Sequence, residues 1–230
     1  MNPKTVFPGI FEISGRLATK SIAQGIKVYG EDLVRTQGSE YRLWDAYRSK
    51  LGAAVKKGLK KLDVAPGASV LYLGAATGTT VSHVSDIVGN KGVVFCVEFS
   101  PHSMRELLKV CEKRENLIPL LEDARFPKKY SDAVEEYAGG KVDVVFEDVA
   151  DQEQVRILAE NCKLFLKKGG QALIAIKSRS ISGTKNPQEV FAKVRQELEE
   201  DFAIEQAFSL EPFEKDHELL SLRFKRQPRS

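Results

Sequence analysis

Residues 70–80 read VLYLGAATGTT, and they constrain the fold more than any other stretch of the chain. An apolar, strand-forming run ends in a loop of small residues. The chain then carries Val81, Val84, Ile87 and Val88 at helical spacing. Strand, glycine loop and helix in direct succession form the first unit of a nucleotide-type α/β domain. Gly74 and Gly78 let the backbone turn sharply and approach a ligand. Thr79 and Thr80 offer hydroxyls and amides at the start of the helix. On this stretch alone, a ligand loop and an ordinary βα turn are equally good readings.

The pattern on either side extends the unit. After residue 69, apolar strands at 70–73, 93–99, 117–121, 142–146 and 172–176 alternate with helical spacing at 80–88, 102–114, 128–137, 152–166 and 187–200. Strands this uniformly apolar belong in a parallel sheet covered by helices on both faces. The last two strand-like runs, 203–210 and 219–224, are joined by a loop too short for a crossover helix and must pair antiparallel. The expected fold is α/β: a mostly parallel seven-stranded sheet with an antiparallel last strand, an arrangement that resembles the class I (Rossmann-like) methyltransferases. In that topology strands four and five are expected beside strand one.

Ahead of it lies a different texture. Short strands at 5–7, 10–13, 17–21, 27–29, 32–35 and 40–44 are separated by Pro8-Gly9, Ser14-Gly15, Gln24-Gly25 and Gly38-Ser39. They form a small antiparallel β subdomain over 1–48, which leaves 49–230 as the main domain. A docking surface and a lid are both open for the subdomain. A helix follows over 49–62, with Ser49 at its cap.

Composition narrows the class. A formal net charge of +3 on 230 residues permits nucleic-acid contact without requiring it. The basic residues crowd two segments: Arg42, Arg48, Lys50, Lys56, Lys57, Lys60 and Lys61, then Arg223, Lys225, Arg226 and Arg229. Cys96, Cys111 and Cys162 are far apart, lie in apolar or helical runs and read as buried thiols. With no CxxC or Cys/His pairing, no metal site is expected. No run reaches the ~20 apolar residues of a membrane span, and the N-terminus lacks a secretory pattern. The expectation is a soluble, cytoplasmic protein.

The loop also discriminates between ligands. A dinucleotide fingerprint wants G-x-G-x-x-G, but residue 76 is Ala and residue 79 is Thr. The Gly74-x-x-x-Gly78 spacing suits a ligand without a pyrophosphate, and S-adenosyl-L-methionine is such a ligand. Glu98 ends the second strand, where a carboxylate can accept from both ribose hydroxyls. Phe99 can lie against an adenine ring, and Asp123 or the Ala124 amide can read its amino group. Gly74, Glu98, Asp123 and Asp148 all fall at the carboxyl ends of strands, the ligand side of such sheets. Asp148 and Lys177 end strands four and five, so a Lys177–Asp148 pair is expected at the rim. A catalytic pair that deprotonates a hydroxyl and a structural ion pair are equally good readings of it.

The ordered motifs YRLWD (41–45), SKLGAA (49–54), LYLGAATGTT (71–80), SHV (82–84), VEFS (97–100), MREL (104–107), VDVVFEDVA (142–150), IAIKSRSI (174–181) and EPFEKDH (211–217) together resemble the fibrillarin family in its archaeal form, the fibrillarin-like rRNA/tRNA 2′-O-methyltransferases. The resemblance spans nearly the whole chain and lacks the glycine-arginine-rich tail of eukaryotic members. It implies an S-adenosyl-L-methionine-dependent enzyme that methylates ribose 2′-hydroxyls of rRNA and tRNA. The setting it implies is a C/D-box guide ribonucleoprotein, with a Nop-family scaffold protein and a kink-turn-binding ribosomal-type protein. It also implies a Lys-Asp-Lys-His catalytic set at Lys50, Asp148, Lys177 and His217. Implied cofactor contacts are Thr79, Thr80, Glu98, Phe99, Asp123, Ala124, Asp148, Val149, Ala150 and Asp151, beside Gly74 and Gly78 of the loop. The family commonly has Gln where this chain has Asp151, and a carboxylate there accepts but cannot donate.

The implied chemistry is in-line displacement by the ribose 2′-oxygen, which needs positioning and proton removal rather than a metal. Arg48, Lys56, Lys57 and Lys60 are candidate RNA-phosphate contacts; a solvated helix face explains the same charges. Two rival readings share the fold: a small-molecule methyltransferase and a non-catalytic assembly subunit.

Overall fold

The computed structural model describes residues 2–225. Arg226 and Arg229 of the C-terminal basic cluster lie outside the described residues. Strands β1 (Lys4–Phe7), β2 (Ile10–Ile13), β3 (Arg16–Lys20), β4 (Leu33–Thr36) and β5 (Ser39–Leu43) build an antiparallel sheet in the order β1-β2-β3-β5-β4. The strand expected at 27–29 does not form. Its amides are taken instead by the Glu31 carboxylate, which accepts from Val28 N at 3.0 Å and Tyr29 N at 2.9 Å. Glu31 is in turn held by Arg42 at 2.6 Å, so a buried ion pair overrides local strand propensity.

A 3-10 turn, Ala46–Arg48, leads into α1 (Lys50–Lys56), and the Ser49 hydroxyl caps that helix by accepting from Gly52 N at 3.2 Å. The helix stops well short of residue 62. Gly58 is left-handed at φ +93°. Its amide returns to Val55 O at 3.1 Å, and Leu59 N returns to Ala54 O at 3.1 Å. That pair of bonds is the Schellman ending, which needs glycine at this position. Leu59 and Leu62 are buried all the same, which is why apolar spacing continued past the helix end.

The second sheet holds β6 (Ser69–Leu73), β7 (Val93–Val97), β8 (Leu117–Leu120), β9 (Val142–Glu147), β10 (Leu166–Lys177), β11 (Phe202–Ser209) and β12 (His217–Phe224) in the order β11-β12-β10-β9-β6-β7-β8. The pairs β10–β9, β9–β6, β6–β7 and β7–β8 are parallel, and β12 is antiparallel to both of its neighbours. The expected antiparallel last strand is therefore present. One expectation fails: the fourth strand of the series, β9, lies beside β6, whereas the fifth, β10, lies one place further out. Helices α2 (Thr79–Val88), α3 (Pro101–Cys111), α4 (Ser131–Ala138), α5 (Gln154–Phe165), a short α6 (Ser178–Ile181) and α7 (Pro187–Asp201) complete the chain. Cys96 and Cys162 are buried, and Cys111 is only half-buried. Among the described residues, no helix is long and apolar enough to cross a membrane.

The two faces of this sheet carry separate cores. One packs Tyr72, Phe146 and Leu173 against Leu51, Val81 and Val84, and takes in Ile10, Leu17 and Trp44 from the N-terminal region. The other packs Leu71, Phe95 and Ile174 against Leu158, Phe165 and Leu198. Between the N-terminal sheet and α2 runs a buried polar network. Asp86 accepts from Arg42 at 2.8 Å, from Arg114 at 2.6 Å and from the Thr19 hydroxyl at 2.8 Å. Because Thr19 donates to Asp86, it accepts from His83 Nδ1, at 2.8 Å. His83 Nε2 then accepts from the Tyr29 hydroxyl at 2.7 Å. The imidazole stacks on Trp44 with ring centroids 4.9 Å apart. Burial first, then Arg42 and Arg114, hold its pKa well below the usual histidine value.

Two outcomes follow from this network. Arg42→Leu leaves Glu31 and Asp86 short of a buried partner, and urea unfolding should register a loss of about 3–5 kcal/mol. As pH falls below about 6.5 the unfolded chain protonates His83 while the folded chain resists, so stability declines on the acid side. In His83→Gln that contribution disappears. The stability gap between wild type and variant should therefore narrow from pH 7 to pH 5.

Candidate active site

The loop after β6 is shaped by what it touches. Gly74 and Ala75 both donate to Val97 O, at 2.9 and 3.0 Å. Gly74 has φ +83°, and a Cβ added to it would stand 2.7 Å from Asp148 O. Glycine there is thus needed both for the turn and for the close passage of the β9 end. Asp148 N donates to Leu73 O at 2.8 Å, which ties the two strand ends together. Ala76 is left-handed at φ +48°, and its amide donates to Glu98 Oε2 at 2.9 Å. The other Glu98 oxygen accepts from Ser100 N at 2.8 Å. A nearly buried carboxylate held by one amide on each oxygen keeps further acceptor sites for a ligand.

Around this loop lies a cleft of about 210 Å³ lined by Gly74, Ala76, Glu98, Phe99, Asp123, Ala124, the whole of 148–151, Glu122, Arg125 and Ile157. Phe99 is 73 % exposed, an apolar face at the mouth. Asp123 is gripped by Arg125 at 2.6 Å, which holds its carboxyl below the usual range. Ala124 O accepts from Asn161 Nδ2 at 2.9 Å, so α5 fixes this wall. The 148–151 segment is clamped by Gln154, whose Nε2 donates to Val149 O at 2.7 Å and Ala175 O at 3.2 Å. Asp151 Oδ1 accepts from Glu153 N at 2.8 Å, so this carboxylate is already engaged at the start of α5.

Gly78, Thr79 and Thr80, also expected at the cofactor, are not among the residues that line this cleft. A Cβ on Gly78 would meet Leu107 of α3 at 3.1 Å. Thr79 opens α2, and its carbonyl accepts from Ser82 Oγ at 2.8 Å. The Thr80 hydroxyl donates to Ser49 Oγ at 3.1 Å. That bond has a consequence for the rim: it fastens the start of α1 to the start of α2 and sets Lys50 over the end of β9.

Lys50 Nζ lies 2.7 Å from Asp148 Oδ1. The expected partner of Asp148, Lys177, is replaced by Lys50. β10 lies directly beside β9, the strand that Asp148 follows, yet the carboxylate is taken by Lys50 from the start of α1. Burial raises the Asp148 carboxyl, with Lys50 and then His217 opposing that rise. Lys177 ends β10 exposed, without an ion pair among the described residues, and is in register with His217 across β12. His217 Nδ1 donates to Lys215 O at 2.7 Å, which directs the lone pair to Nε2. Tyr47, 60 % exposed, meets Phe213 edge to face at 5.0 Å, so the turn before Lys50 touches the loop before His217. Lys50, Asp148 and His217 thus converge, with Lys177 beside them in register.

Sequence reading missed several members of this neighbourhood. Arg125 sits two residues after Asp123, a spacing that signals a local pair. Gln154 gave no signal, since a glutamine in a first helical turn is usually solvated. Glu147 is fully buried next to Asp148, and burial pushes its carboxyl well above the usual range, which favours the neutral form. Of the expected phosphate contacts, Lys56 Nζ donates to Gly15 O at 2.6 Å and Lys57 Nζ to Glu211 O at 3.0 Å. Both are turned onto the protein's own carbonyls. Lys60 and Arg48 remain exposed.

Comparison with known proteins places this geometry. The family model described as Fibrillarin matches residues 1–226. A fibrillarin-like rRNA/tRNA 2′-O-methyltransferase of Pyrococcus horikoshii is 49% identical over 225 residues, covering 96% of this chain and 97% of its own. The protein of the same name from Methanocaldococcus jannaschii is 48% identical, covering 93% of both chains. Among solved structures, the fibrillarin pre-rRNA processing protein of Methanococcus jannaschii superposes with a TM-score of 0.91 at 46% identity, covering 97% of each chain. Aeropyrum pernix fibrillarin, solved with natively bound S-adenosyl-L-methionine, gives 0.83 at 45% identity over 93% of this chain and 92% of its own. The fibrillarin of a fibrillarin/Nop5p complex gives 0.84 at 40% identity over 94% and 97%. With the family model matched over nearly its whole length, this chain belongs to the fibrillarin family.

Proposed function

We propose that the protein is an S-adenosyl-L-methionine-dependent RNA 2′-O-methyltransferase acting on rRNA and tRNA, the catalytic subunit of a C/D-box guide ribonucleoprotein. The observation that carries the reading is the convergence of Lys50, Asp148 and His217, with Lys177 in register, at the lip of a cleft walled by Glu98 and Asp123. The cleft's donor set fits the cofactor. Glu98 retains acceptor sites for ribose hydroxyls, and Phe99 presents an apolar face. When bound, S-adenosyl-L-methionine supplies a methyl group on a positively charged sulfonium.

The chain's own residues do the rest. Gly74, Glu98, Phe99, Asp123, Ala124 and 148–151 hold the cofactor. Gly78, Thr79 and Thr80 close the loop at the start of α2, where their amides can meet the cofactor, and Thr80 also fixes α1 through Ser49. Lys177, exposed and outside the Lys50–Asp148 pair, assists removal of the proton from the ribose 2′-hydroxyl. The ion pair fixes Asp148 so that its free oxygen can orient the incoming hydroxyl. His217 Nε2 faces the same rim and positions the ribose. Sequence choice is delegated to guide–target base pairing, and the mild net charge accords with a protein that grips only backbone. A Nop-family scaffold and, through the complex, a kink-turn-binding ribosomal-type protein complete the assembly, which works in the cytoplasm.

Reconstitution with a guide RNA and the two partner proteins, followed by mapping of 2′-O-methyl groups, tests the reading. Methylation should appear at guide-specified riboses. Lys177→Ala should lower the single-turnover rate by about 10²-fold or more while calorimetric cofactor binding persists. Glu98→Ala should do the reverse, weakening cofactor binding first. Undiminished methylation by Lys177→Ala would remove that lysine from its role.

A further inference from the structure

The segment expected to be a strand, residues 27–29, forms one wall of a second concavity together with Ile26. A groove of about 470 Å³ runs between it and α3, and its lining includes Lys27, Arg48, Thr77, Glu106, Lys109 and Arg114. The groove adjoins the active site at two points. Thr77 belongs to the loop between Gly74 and Gly78, and Arg48 precedes Lys50 by one helical cap residue.

Its charge is lopsided. Four cations face one carboxylate, Glu106, and that carboxylate is already bonded by Lys109 at 2.8 and 2.9 Å. Lys27 has no ion pair among the described residues. The Arg48 guanidinium lies 5.1 Å over the Tyr29 ring and takes no carboxylate, so an aromatic face holds it without neutralising it. Arg114 forms the back wall at 1 % exposure. Its Nη1 is bonded to Asp86 at 2.6 Å and Ser85 at 3.2 Å, whereas among the described residues Nε and Nη2 have no hydrogen-bond partner. Two surface cations without an ion pair among the described residues, Lys27 and Arg48, in front of the buried Arg114 guanidinium give the groove a positive field that suits an anion.

We propose that this groove holds the phosphate backbone of the RNA strand that carries the target ribose, where that strand leaves the active site. The proposal rests on the methyltransferase reading above. A ribose presented at the Lys50–Asp148 rim brings the next phosphates of its own strand past Arg48 and along the groove. It also moves the backbone contact away from Lys56 and Lys57, whose ammonium groups are bonded to the protein's own carbonyls. Contacts of this kind add affinity and register without sequence preference.

The test uses Lys27→Ala, Lys109→Ala and the double variant in the complete guide ribonucleoprotein, with target RNA titrated at several salt concentrations. Each substitution should raise the KM for target RNA about fivefold and lower the log–log salt slope by about 0.7–0.9. The rate at saturating RNA, the cofactor dissociation constant and the melting curve should match wild type. An unchanged KM and salt slope in the double variant overturns the proposal. So does a loss already visible when the scaffold protein binds without RNA, because the groove would then be a protein-docking surface. Wild-type complex that binds cofactor yet methylates no ribose would instead refute the methyltransferase reading.

Discussion

The close passage of Asp148 over Gly74 is the contact on which the site depends. A Cβ at residue 74 would stand 2.7 Å from the Asp148 carbonyl, so the two strand ends meet only because that Cβ is missing. With them joined, one loop presents the Ala76 amide to Glu98 and the other lays 148–151 along the opposite wall. The same contact aims the Asp148 side chain outward, where Lys50 meets it at 2.7 Å. Floor, wall and reacting rim therefore share one steric condition. Any side chain at residue 74 would part all three at once.

The rim has a second support, in the N-terminal region. Arg42, on β5, pairs with Glu31 and Asp86, and Asp86 pairs again with Arg114. These charges link the small sheet to α2 and to the turn after α3. Burying them carries a desolvation penalty, so their value is in fixing one arrangement more than in net stability. What they fix is useful. Glu31 strips residues 28 and 29 of strand pairing, Tyr29 then supports Arg48, and Arg48 precedes the capped start of α1. The N-terminal sheet thereby helps set where Lys50 stands, through these charges as well as through Ile10, Leu17 and Trp44 in the core shared with α1.

Local rules made much of this legible. Alternating apolar strands and helices gave the parallel sheet, and a short last connection gave its antiparallel strand, because both follow from chain geometry. The loop at 74–78 and the acids at strand ends located the cleft for the same reason. Long-range pairing was not legible. Nothing in the residues around 27–29 announces that a carboxylate will take their amides, since the commitment depends on Arg42 holding Glu31. The end of α1 was hidden because burial continued through Leu59 and Leu62 after Gly58 had broken the helix. The partner of Asp148 was misassigned because a side chain from outside the sheet, Lys50 at the start of α1, reaches the carboxylate. A cluster of lysines in sequence likewise says nothing about where each ammonium points.

That last point bears on how the four rim residues divide their work. Lys50 and Lys177 are both expected at the site, yet only one is committed to an ion pair. A lysine held at 2.7 Å by a carboxylate is fixed as a charge and a positioning device, and its partner is fixed with it. A lysine that ends a buried strand exposed, with His217 in register across the hairpin, remains able to move toward a hydroxyl. The start of α1 thus supplies the partner of Asp148 even though β10 lies beside β9, and the strand-end lysine stays outside the pair.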